Sequence, residues 1–420
     1  MGTGPCHATL FFLLFDMDAQ HKLLLLWRWL FQCSHHTGTA MSTLIHNSSA
    51  AALAAELYIC IVHHFIMRSL PFILIVLFLT LLVAGCAGPQ GDMAPVTPGQ
   101  GRAGTTITGE SGSPVVHTLI VEPDDGKAMI LSTIDGAHEN LTLTIYEITD
   151  PDIVAVLTAA QGRGVAVRVL YNNASFASMN EANPNAGAIA NLSRAGVKTK
   201  PASPVFTVTH QKTLTADGSR SIIMTFNLEP NYFSTTRDFG IITTNMSEVL
   251  EISGVFDADW NYQNITPTFP SLVWSPVNSR AKILGVIDHA TKTLDVYNEE
   301  ITDQQCINAL VAAAKRGVSV RVIAADLDGG KNKNAPALAT LNASGAQAKT
   351  ITSLYIHAKM VLADYQTPDQ VAYLGSENLG EVSLDQNREL GILVMEKPIL
   401  DRLESVFSQD WLVPAMPEGR

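Results

Sequence analysis

The sequence predicts an α/β protein made of two similar α/β sandwich halves, related by pseudo-two-fold symmetry, with the active site at their interface. Three observations predict it. The 420-residue chain contains an internal repeat with an offset of about 150 residues. Each copy alternates β-rich runs with helical segments, which indicates layered sheets and helices. One pattern of histidine, lysine and aspartate recurs in both copies, and the interface between two like halves is a natural place for a shared site.

Each copy contains a β-rich run, a helix and a second β-rich run. In the first copy these are residues 141–146, a helix that ends near Gly162, and residues 165–170. In the second copy they are residues 293–297, a helix that ends near Gly317, and residues 318–324. Asp150 or Asp152 is expected to cap the first helix, and Thr302 or Asp303 the second. The apolar runs after the helices predict buried parallel strands.

The ends of the two copies also correspond. Residues 237–241 read RDFGI and residues 388–392 read RELGI, while residues 255–260 read VFDADW and residues 406–411 read VFSQDW. These matches predict a first half at residues 115–262, a linker at 263–280 and a second half at 281–420.

The chemistry is carried by a His-x-Lys-x4-Asp pattern that occurs once in each copy. Residues 210–217 read HQKTLTAD and residues 357–364 read HAKMVLAD. A strand places the histidine and the lysine on the same face, while the aspartate lies beyond a bend, where it can hold the lysine or the loop. The alternative, two unrelated core histidines, does not explain a match at equivalent positions. The expected catalytic set is therefore His210, Lys212, Asp217, His357, Lys359 and Asp364.

The remaining histidines of this region, His117, His138 and His289, lack that context, so we expect them to be structural or surface residues. Asp238 and Glu389 lie 28 and 32 residues after the two motif histidines, in the matching RDFGI and RELGI segments. We expect them to accept the Nδ1 proton of a histidine and so to orient it. The alternative is that both are surface carboxylates.

On these motifs the sequence resembles the phospholipase D superfamily, over roughly residues 117–411. The motif of that family continues as Gly-Ser-x-Asn, which the second copy matches in full at residues 375–378 (GSEN). The first copy reads MTFN at residues 224–227, so it keeps the hydroxyl and the amide but replaces glycine with Met224. Since glycine would let a phosphate oxygen approach closely, we expect Met224 to narrow that side of the pocket.

The resemblance and the residue types together imply a two-step cleavage of a phosphodiester. A neutral imidazole attacks phosphorus to give a phosphohistidine, and a protonated one donates to the leaving alcohol and then deprotonates water. The resemblance implies that His210 is the nucleophile and His357 the acid and base, a ranking that the sequence itself does not provide. The lysines, with Thr225, Asn227, Ser376 and Asn378, are expected to hold the non-bridging oxygens. This chemistry requires no metal and no cofactor.

The N-terminal region predicts export. Residues 67–86 comprise a short basic start, an apolar stretch and a Val-Ala-Gly-Cys end, which resembles the signal peptide and lipobox of bacterial lipoproteins. Lipid chains on Cys86 would anchor the protein at the periplasmic side of the cell envelope. Residues 1–66 are interpreted as an upstream extension with the true start at Met67, the alternative being a genuine extra hydrophobic segment. Residues 87–114 are expected to form a flexible tether.

Past Cys86 the only cysteine is Cys306, so the exported domain forms no internal disulfide, and Cys306 is expected to be a buried apolar residue. The net charge of −12 disfavours nucleic acid as a partner. A lipid-anchored domain is held close to phospholipid, which is therefore the expected substrate as well as the anchor, and no obligate protein partner is inferred. The alternatives are an exported phosphodiesterase or nuclease and a non-catalytic phosphate or lipid binder. Residues 229–236 are either an aromatic lip or a polar loop.

Overall fold

In the computed structural model, which describes residues 116–173, 183–326 and 333–415, two mixed β-sheets carry helices and share one apolar core. The predicted upstream extension, the signal segment with Cys86 and the tether lie outside the described residues. Among the helices described, none is long and apolar enough to cross a membrane.

The described residues of the first half form seven strands, four helices and one short 3-10 helix. In chain order they are β1 (His117–Glu122), α1 (Ala128–Asp135), β2 (Asn140–Ile145), α2 (Pro151–Gly162), β3 (Ala166–Tyr171), α3 (Ala186–Arg194), β4 (Lys198–Pro201), β5 (Thr213–Ala216), β6 (Arg220–Met224), the 3-10 helix (Pro230–Phe233), β7 (Thr236–Thr243) and α4 (Met246–Trp260). The strands lie in the order β1-β7-β6-β5-β2-β3-β4.

The second half repeats this arrangement. In chain order it has β8 (Leu272–Ser275), α5 (Ser279–His289), β9 (Thr293–Asn298), α6 (Gln304–Lys315), β10 (Ser319–Ala324), α7 (Ala335–Ala343), β11 (Gln347–Thr350), β12 (Tyr355–Ile356), β13 (Met360–Ala363), β14 (Val371–Gly375), α8 (Glu381–Asp385), β15 (Glu389–Val394) and α9 (Lys397–Trp411). Its sheet has the order β11-β10-β9-β13-β14-β15-β8, and β12 instead pairs with β7 of the first half.

The predicted fold class is confirmed by this architecture. The two runs expected as buried parallel strands are β3 and β10, and each is parallel to both of its neighbours. Of the candidate caps, Asp150 accepts hydrogen bonds from the amides of Asp152 and Ile153, and Asp303 accepts one from Cys306. Each aspartate therefore satisfies amides of the first turn that the helix itself leaves without partners.

The boundary between the halves differs from the expected one. The stretch predicted as a linker, residues 263–280, contains β8, which pairs antiparallel with β15, and also the first two residues of α5. The linker is therefore shorter, because β8 completes the edge of the second sheet and buries Trp274 in the core between the halves.

The described residues form three apolar clusters, one of which joins the two halves. One lies inside each half, between its sheet and its helices, and the third is built from both sheets, with Phe239 of β7 and Tyr297 of β9 at its centre. Burying an aromatic or branched side chain stabilises a fold by roughly 1.5–3 kcal/mol. A shared core of this kind fixes the two halves relative to each other, which a site at their interface requires.

Candidate active site

A cavity of about 730 Å³ opens at the interface, and both motif histidines line it. His210 comes from the first half and His357 from the second. Other lining residues are Tyr146, Glu147, Asn227, Tyr232, Glu299, Glu300, Asn378, Glu381 and Glu389. The repeat therefore brings its two equivalent histidines to one pocket.

Each histidine is held by a carboxylate from the opposite half. Nδ1 of His210 lies 2.7 Å from Oε2 of Glu389, and Nδ1 of His357 lies 2.9 Å from Oδ1 of Asp238. The structure thus places the two expected carboxylates on the Nδ1 atoms, but crosswise between the halves. A histidine that donates its Nδ1 proton to a carboxylate presents Nε2 to the cavity.

Main-chain pairing across the interface explains the crossing. The amides of His210 and Gln211 donate to the carbonyl of Arg388, which precedes Glu389. In the same way the amides of His357 and Ala358 donate to the carbonyl of the residue before Asp238. Each histidine segment is therefore aligned beside the arginine–carboxylate segment of the other half.

The arginines of these segments form buried ion pairs that also cross the interface. Arg237 binds Asp410 through Nε at 2.7 Å and through Nη2 at 3.2 Å. Arg388 binds Asp259 at 2.7 Å. The two aspartates are the equivalent residues of the VFDADW and VFSQDW segments, so the pseudo-symmetry extends to these pairs.

Further polar contacts fix the orienting carboxylates. Oε1 of Glu389 accepts hydrogen bonds from Ser383 at 2.5 Å and from Asn387 at 2.9 Å. Asp238 accepts hydrogen bonds from Thr225 at 2.6 Å and from Thr236 at 2.7 Å. Although burial opposes ionisation, the pKa of Glu389 is lowered by His210, by Lys212 and by the Ser383 hydroxyl. Glu389 therefore stays charged, and the hydrogen bonds to both carboxylates hold them against the rings that they orient.

The two motif lysines lie in different surroundings. Lys212 is buried, its Nζ lies 5.2 Å from the centre of the Tyr146 ring, and it has no hydrogen-bond partner among the described residues. Nζ of Lys359 donates to Oε2 of Glu299 at 2.8 Å and to the carbonyl of His357 at 2.5 Å. One lysine is thus held by an acid, and the other is available to a ligand.

Burial also sets the charge of the first half-site. Burial, together with the nearby Lys212, lowers the pKa of His210 to about 4 even though Glu389 favours the charged form. Burial and the neighbouring Lys359 lower the pKa of Lys212 to about 7. At neutral pH the His210 imidazole is therefore neutral, as a nucleophile must be.

The motif aspartates do not belong to the catalytic set, and that prediction is corrected. Asp217 accepts hydrogen bonds from the amides of residues 138–140, and Asp364 from the amides of residues 291–293. Neither lines the cavity. Both have a positive φ, so the bend after the motif strand turns each carboxylate away from its lysine and towards the loop before the neighbouring strand.

The expected phosphate-holding residues separate into two pairs. Asn227 and Asn378 line the cavity. Thr225 and Ser376 do not, because Thr225 donates to Asp238 while the hydroxyl of Ser376 accepts a hydrogen bond from the amide of Leu390. These two hydroxyls therefore brace the orienting strands, which corrects their assignment to substrate binding.

Met224 does not narrow the pocket, contrary to expectation. Its side chain is buried in the apolar core of the first half. In the second half a Cβ at Gly375 would lie 2.4 Å from Cα of Gly391 and 2.6 Å from the hydroxyl of Tyr373. Gly375 is therefore required because neighbouring residues of the second half pack tightly against it, not because a phosphate oxygen must approach. Glycine in one copy and methionine in the other reflect how each half packs.

Several cavity residues were missed by the sequence reasoning, among them Tyr146 and Glu299, whereas Tyr232 belongs to residues 229–236, which were expected to form an aromatic lip or a polar loop. Tyr146 contacts His210 edge-on at 4.8 Å between ring centres, and Tyr232 contacts His357 at 4.7 Å. Glu299 binds Lys359 and lies 3.6 Å from Nε2 of His357. Tyr146 and Glu299 occupy equivalent repeat positions, so the repeat alignment was the signal that could have found them.

The other histidines and the cysteine lie away from the site. His117 contacts Glu248 and Glu396; burial opposes its charge, but the two acids raise its pKa to about 9. His289 contacts the carbonyl of Gly285 within its own helix. His138 is exposed and Cys306 is buried in the core of the second half.

The chain matches a known protein family and is similar to several known proteins. Residues 130–260 and 283–411, more than half of the chain, match the family described as cardiolipin synthase, PLD-like domain. A cardiolipin synthase of Listeria monocytogenes serotype 4a is 23% identical over 347 residues, which cover 70% of this chain and 68% of that protein. One from Listeria welshimeri is 26% identical over 242 residues, and there the match spans about half (48%) of each protein.

A solved structure has the same fold at low sequence identity. The phosphatidylserine synthase of Haemophilus influenzae Rd KW20 superposes with a TM-score of 0.56 at 13% identity, covering 72% of this chain and 87% of the other. At that identity the likeness concerns the fold alone.

Proposed function

This chain belongs to the phospholipase D superfamily, and we propose that it cleaves the head-group phosphodiester of phospholipids through a phosphohistidine on His210. The observation that carries the proposal is the pair of histidines in one cavity, each with its Nδ1 held by a carboxylate of the opposite half. The family supports phospholipid head-group chemistry in general, and the choice of substrate and of acceptor is part of the proposal.

In the first step Nε2 of neutral His210 attacks phosphorus. The bond from phosphorus to the head-group oxygen breaks, and that oxygen takes the proton of Nε2 of His357. The phosphatidyl group is then covalently attached to His210. Glu389 stabilises the positive charge that develops on the ring, because it lies 2.7 Å from Nδ1.

In the second step a water molecule or an alcohol gives its proton to His357 and attacks phosphorus. The bond from phosphorus to nitrogen breaks, and both histidines return to their starting states. Water yields hydrolysis and an alcohol yields transfer of the phosphatidyl group, so both outcomes share one intermediate.

The non-bridging oxygens need positive charge and donors as negative charge builds up. Lys212, behind the cavity, and the amide of Asn227, in its wall, are suited to this role. A single donor of this kind contributes roughly 10²- to 10³-fold to a rate. The groups that stabilise the negative charge on the non-bridging oxygens therefore come mainly from the first half.

The cavity wall favours lipid over polynucleotide. Glu147, Glu300 and Glu381 line it, and the whole chain carries a net charge of −12. A polyanionic strand would meet these carboxylates along its length, whereas a single phosphodiester group at the end of a lipid meets them only locally.

We further propose that Cys86 carries lipid and holds the domain at the envelope membrane. The support is the lipobox-like sequence that ends at Cys86. Anchoring keeps the domain at high local concentration near its phospholipid substrate. Radiolabelled palmitate should be incorporated by the wild type and not by Cys86→Ser.

The deciding experiment is head-group release from vesicles of phosphatidylcholine, phosphatidylethanolamine or phosphatidylglycerol by the full chain, in the presence of EDTA and with or without added glycerol. His210→Ala and His357→Ala should each abolish release, and His138→Ala, an exposed histidine, should leave it unchanged. A new lipid formed only with glycerol would identify transfer. Cleavage of plasmid DNA without any lipid turnover would overturn the proposal.

A further inference from the structure

The carboxylate of Glu299 lies where the second half-site would bind a phosphate oxygen. Its Oε2 accepts a hydrogen bond from Lys359 at 2.8 Å and one from the Asn378 amide at 3.3 Å. The same oxygen lies 3.6 Å from Nε2 of His357. The cation, the amide and the reacting nitrogen of this half-site therefore all contact one internal anion.

Glu299 is firmly held in this position. Its other oxygen accepts a hydrogen bond from the hydroxyl of Tyr355 at 3.0 Å. Burial disfavours the ionised form, yet Lys359 and His357 lower the pKa of Glu299 well below its usual range. The side chain is thus a fixed negative charge at any pH near neutrality.

In the first half-site, no carboxylate among the described residues bonds to the lysine, and the Asn227 amide donates to Glu229 at 3.1 Å. Tyr146 occupies the repeat position of Glu299 and presents an uncharged ring near Lys212. Within the described part of the chain, Nζ of Lys212 is buried and has no hydrogen-bond partner. Burying a cation without a hydrogen-bond partner costs free energy, which indicates that a bound ligand supplies the missing partner.

We propose that Glu299 is a built-in competitor of the substrate phosphate, which must displace the Glu299 carboxylate from Lys359 and Asn378 in order to contact His357. This inference rests on the proposed function, because it concerns the same cavity. A carboxylate and a phosphate present the same kind of anionic oxygen to the same donors. Both anions close to one ammonium would repel each other, so one excludes the other.

The consequence is selectivity against small free anions. Inorganic phosphate offers only its own oxygens and must compete with Glu299 without further contacts. A phosphodiester lipid also binds through its head group and glycerol, and this additional binding drives the displacement. The half-sites therefore act in order: Lys212 receives the phosphate, and Lys359 joins once Glu299 has moved.

The test is calorimetric titration of the full chain with inorganic phosphate, with Glu299→Gln beside the wild type. Glutamine keeps the size of the side chain and removes its charge, so phosphate should bind at least tenfold more tightly. Glu300→Gln is the matched control, because it removes one charge from the same cavity wall at a carboxylate that bonds to Thr302 rather than to Lys359. It should tighten binding less than threefold.

Two results would overturn the inference. Equal effects of the two substitutions on phosphate affinity would show that Glu299 acts only through the overall charge of the cavity, and weaker phosphate binding by Glu299→Gln would contradict competition. If that variant does not fold, a crystal of the wild type soaked in vanadate decides, since the Glu299 carboxylate should leave Lys359 when the anion enters. The titration measures phosphate binding and does not require turnover. A lack of lipid cleavage would therefore refute the proposed function without affecting the interpretation of the binding result.

Discussion

Glu389 of the second half lies 2.7 Å from Nδ1 of His210 in the first half, 179 positions away in the chain. Asp238 and His357 form the reciprocal pair across 119 positions. Neither half can orient its own histidine, so the site exists only when the two halves are assembled.

The two orienting carboxylates should differ in the step that they support. Asp238→Asn, which acts on the proposed general acid His357, should lower kcat by roughly 10²–10⁴-fold on natural lipids. p-Nitrophenol is a good leaving group that needs little protonation. On a phosphatidyl ester of p-nitrophenol, the rate of the first turnover by Asp238→Asn should therefore return close to that of the wild type. Glu389→Gln, which acts on the nucleophile, should remain slow on both. Rapid-quench measurement of nitrophenol release checks this, and recovery by the Glu389 variant instead would reverse the roles.

The pH profile should be bell-shaped in kcat/KM. His210 must be neutral, so activity rises as pH increases through about 4, the pKa to which burial lowers it. Lys212 must be charged, so activity falls as pH rises through about 7, its lowered pKa. Lys212→Arg keeps the charge at all these pH values and should move the alkaline limb upward. An unmoved alkaline limb would assign that titration to another group.

Asp364 should matter for stability and not for chemistry. Its carboxylate accepts hydrogen bonds from the amides of residues 291–293, and Asp364→Ala would leave these donors without partners. We expect a loss of about 1–3 kcal/mol in the free energy of unfolding, measured in urea, with kcat of the folded protein preserved. Lys359→Ala is the contrasting variant, in which kcat should fall. A large loss of kcat for Asp364→Ala would restore it to the catalytic set.

Transplanting the acid into the first half should weaken phosphate binding. Tyr146→Glu would place a carboxylate close to Lys212, as Glu299 lies close to Lys359. Inorganic phosphate should then bind at least tenfold more weakly than to the wild type. Tyr146→Gln, without charge, is the control and should differ from the wild type less than threefold. Equal effects of the two substitutions would show that loss of the ring, not charge, is responsible.

Much of this site can be predicted from local sequence patterns. The repeat, the two histidine–lysine pairs and the two acidic residues that orient them follow from residue types that recur at corresponding positions of both copies. The aspartate caps follow from contacts within a few residues, and the layered sheets with their parallel strands follow from the alternation of β-rich and helical segments.

Other features were decided only by the tertiary structure. The crossing of His210 to Glu389, the removal of Asp217 and Asp364 to the loops, and the position of Glu299 beside Lys359 all depend on how distant segments pair. Met224 ends β6 with its side chain in the core, and Asn227 lies beyond that strand at the cavity, a difference that the motif Gly-Ser-x-Asn does not encode. The sequence by itself determined the two histidines, their lysines and the two orienting acids, and the packing of two halves around one core decided which group contacts which, because contacts between distant residues are fixed only when both sheets are in place.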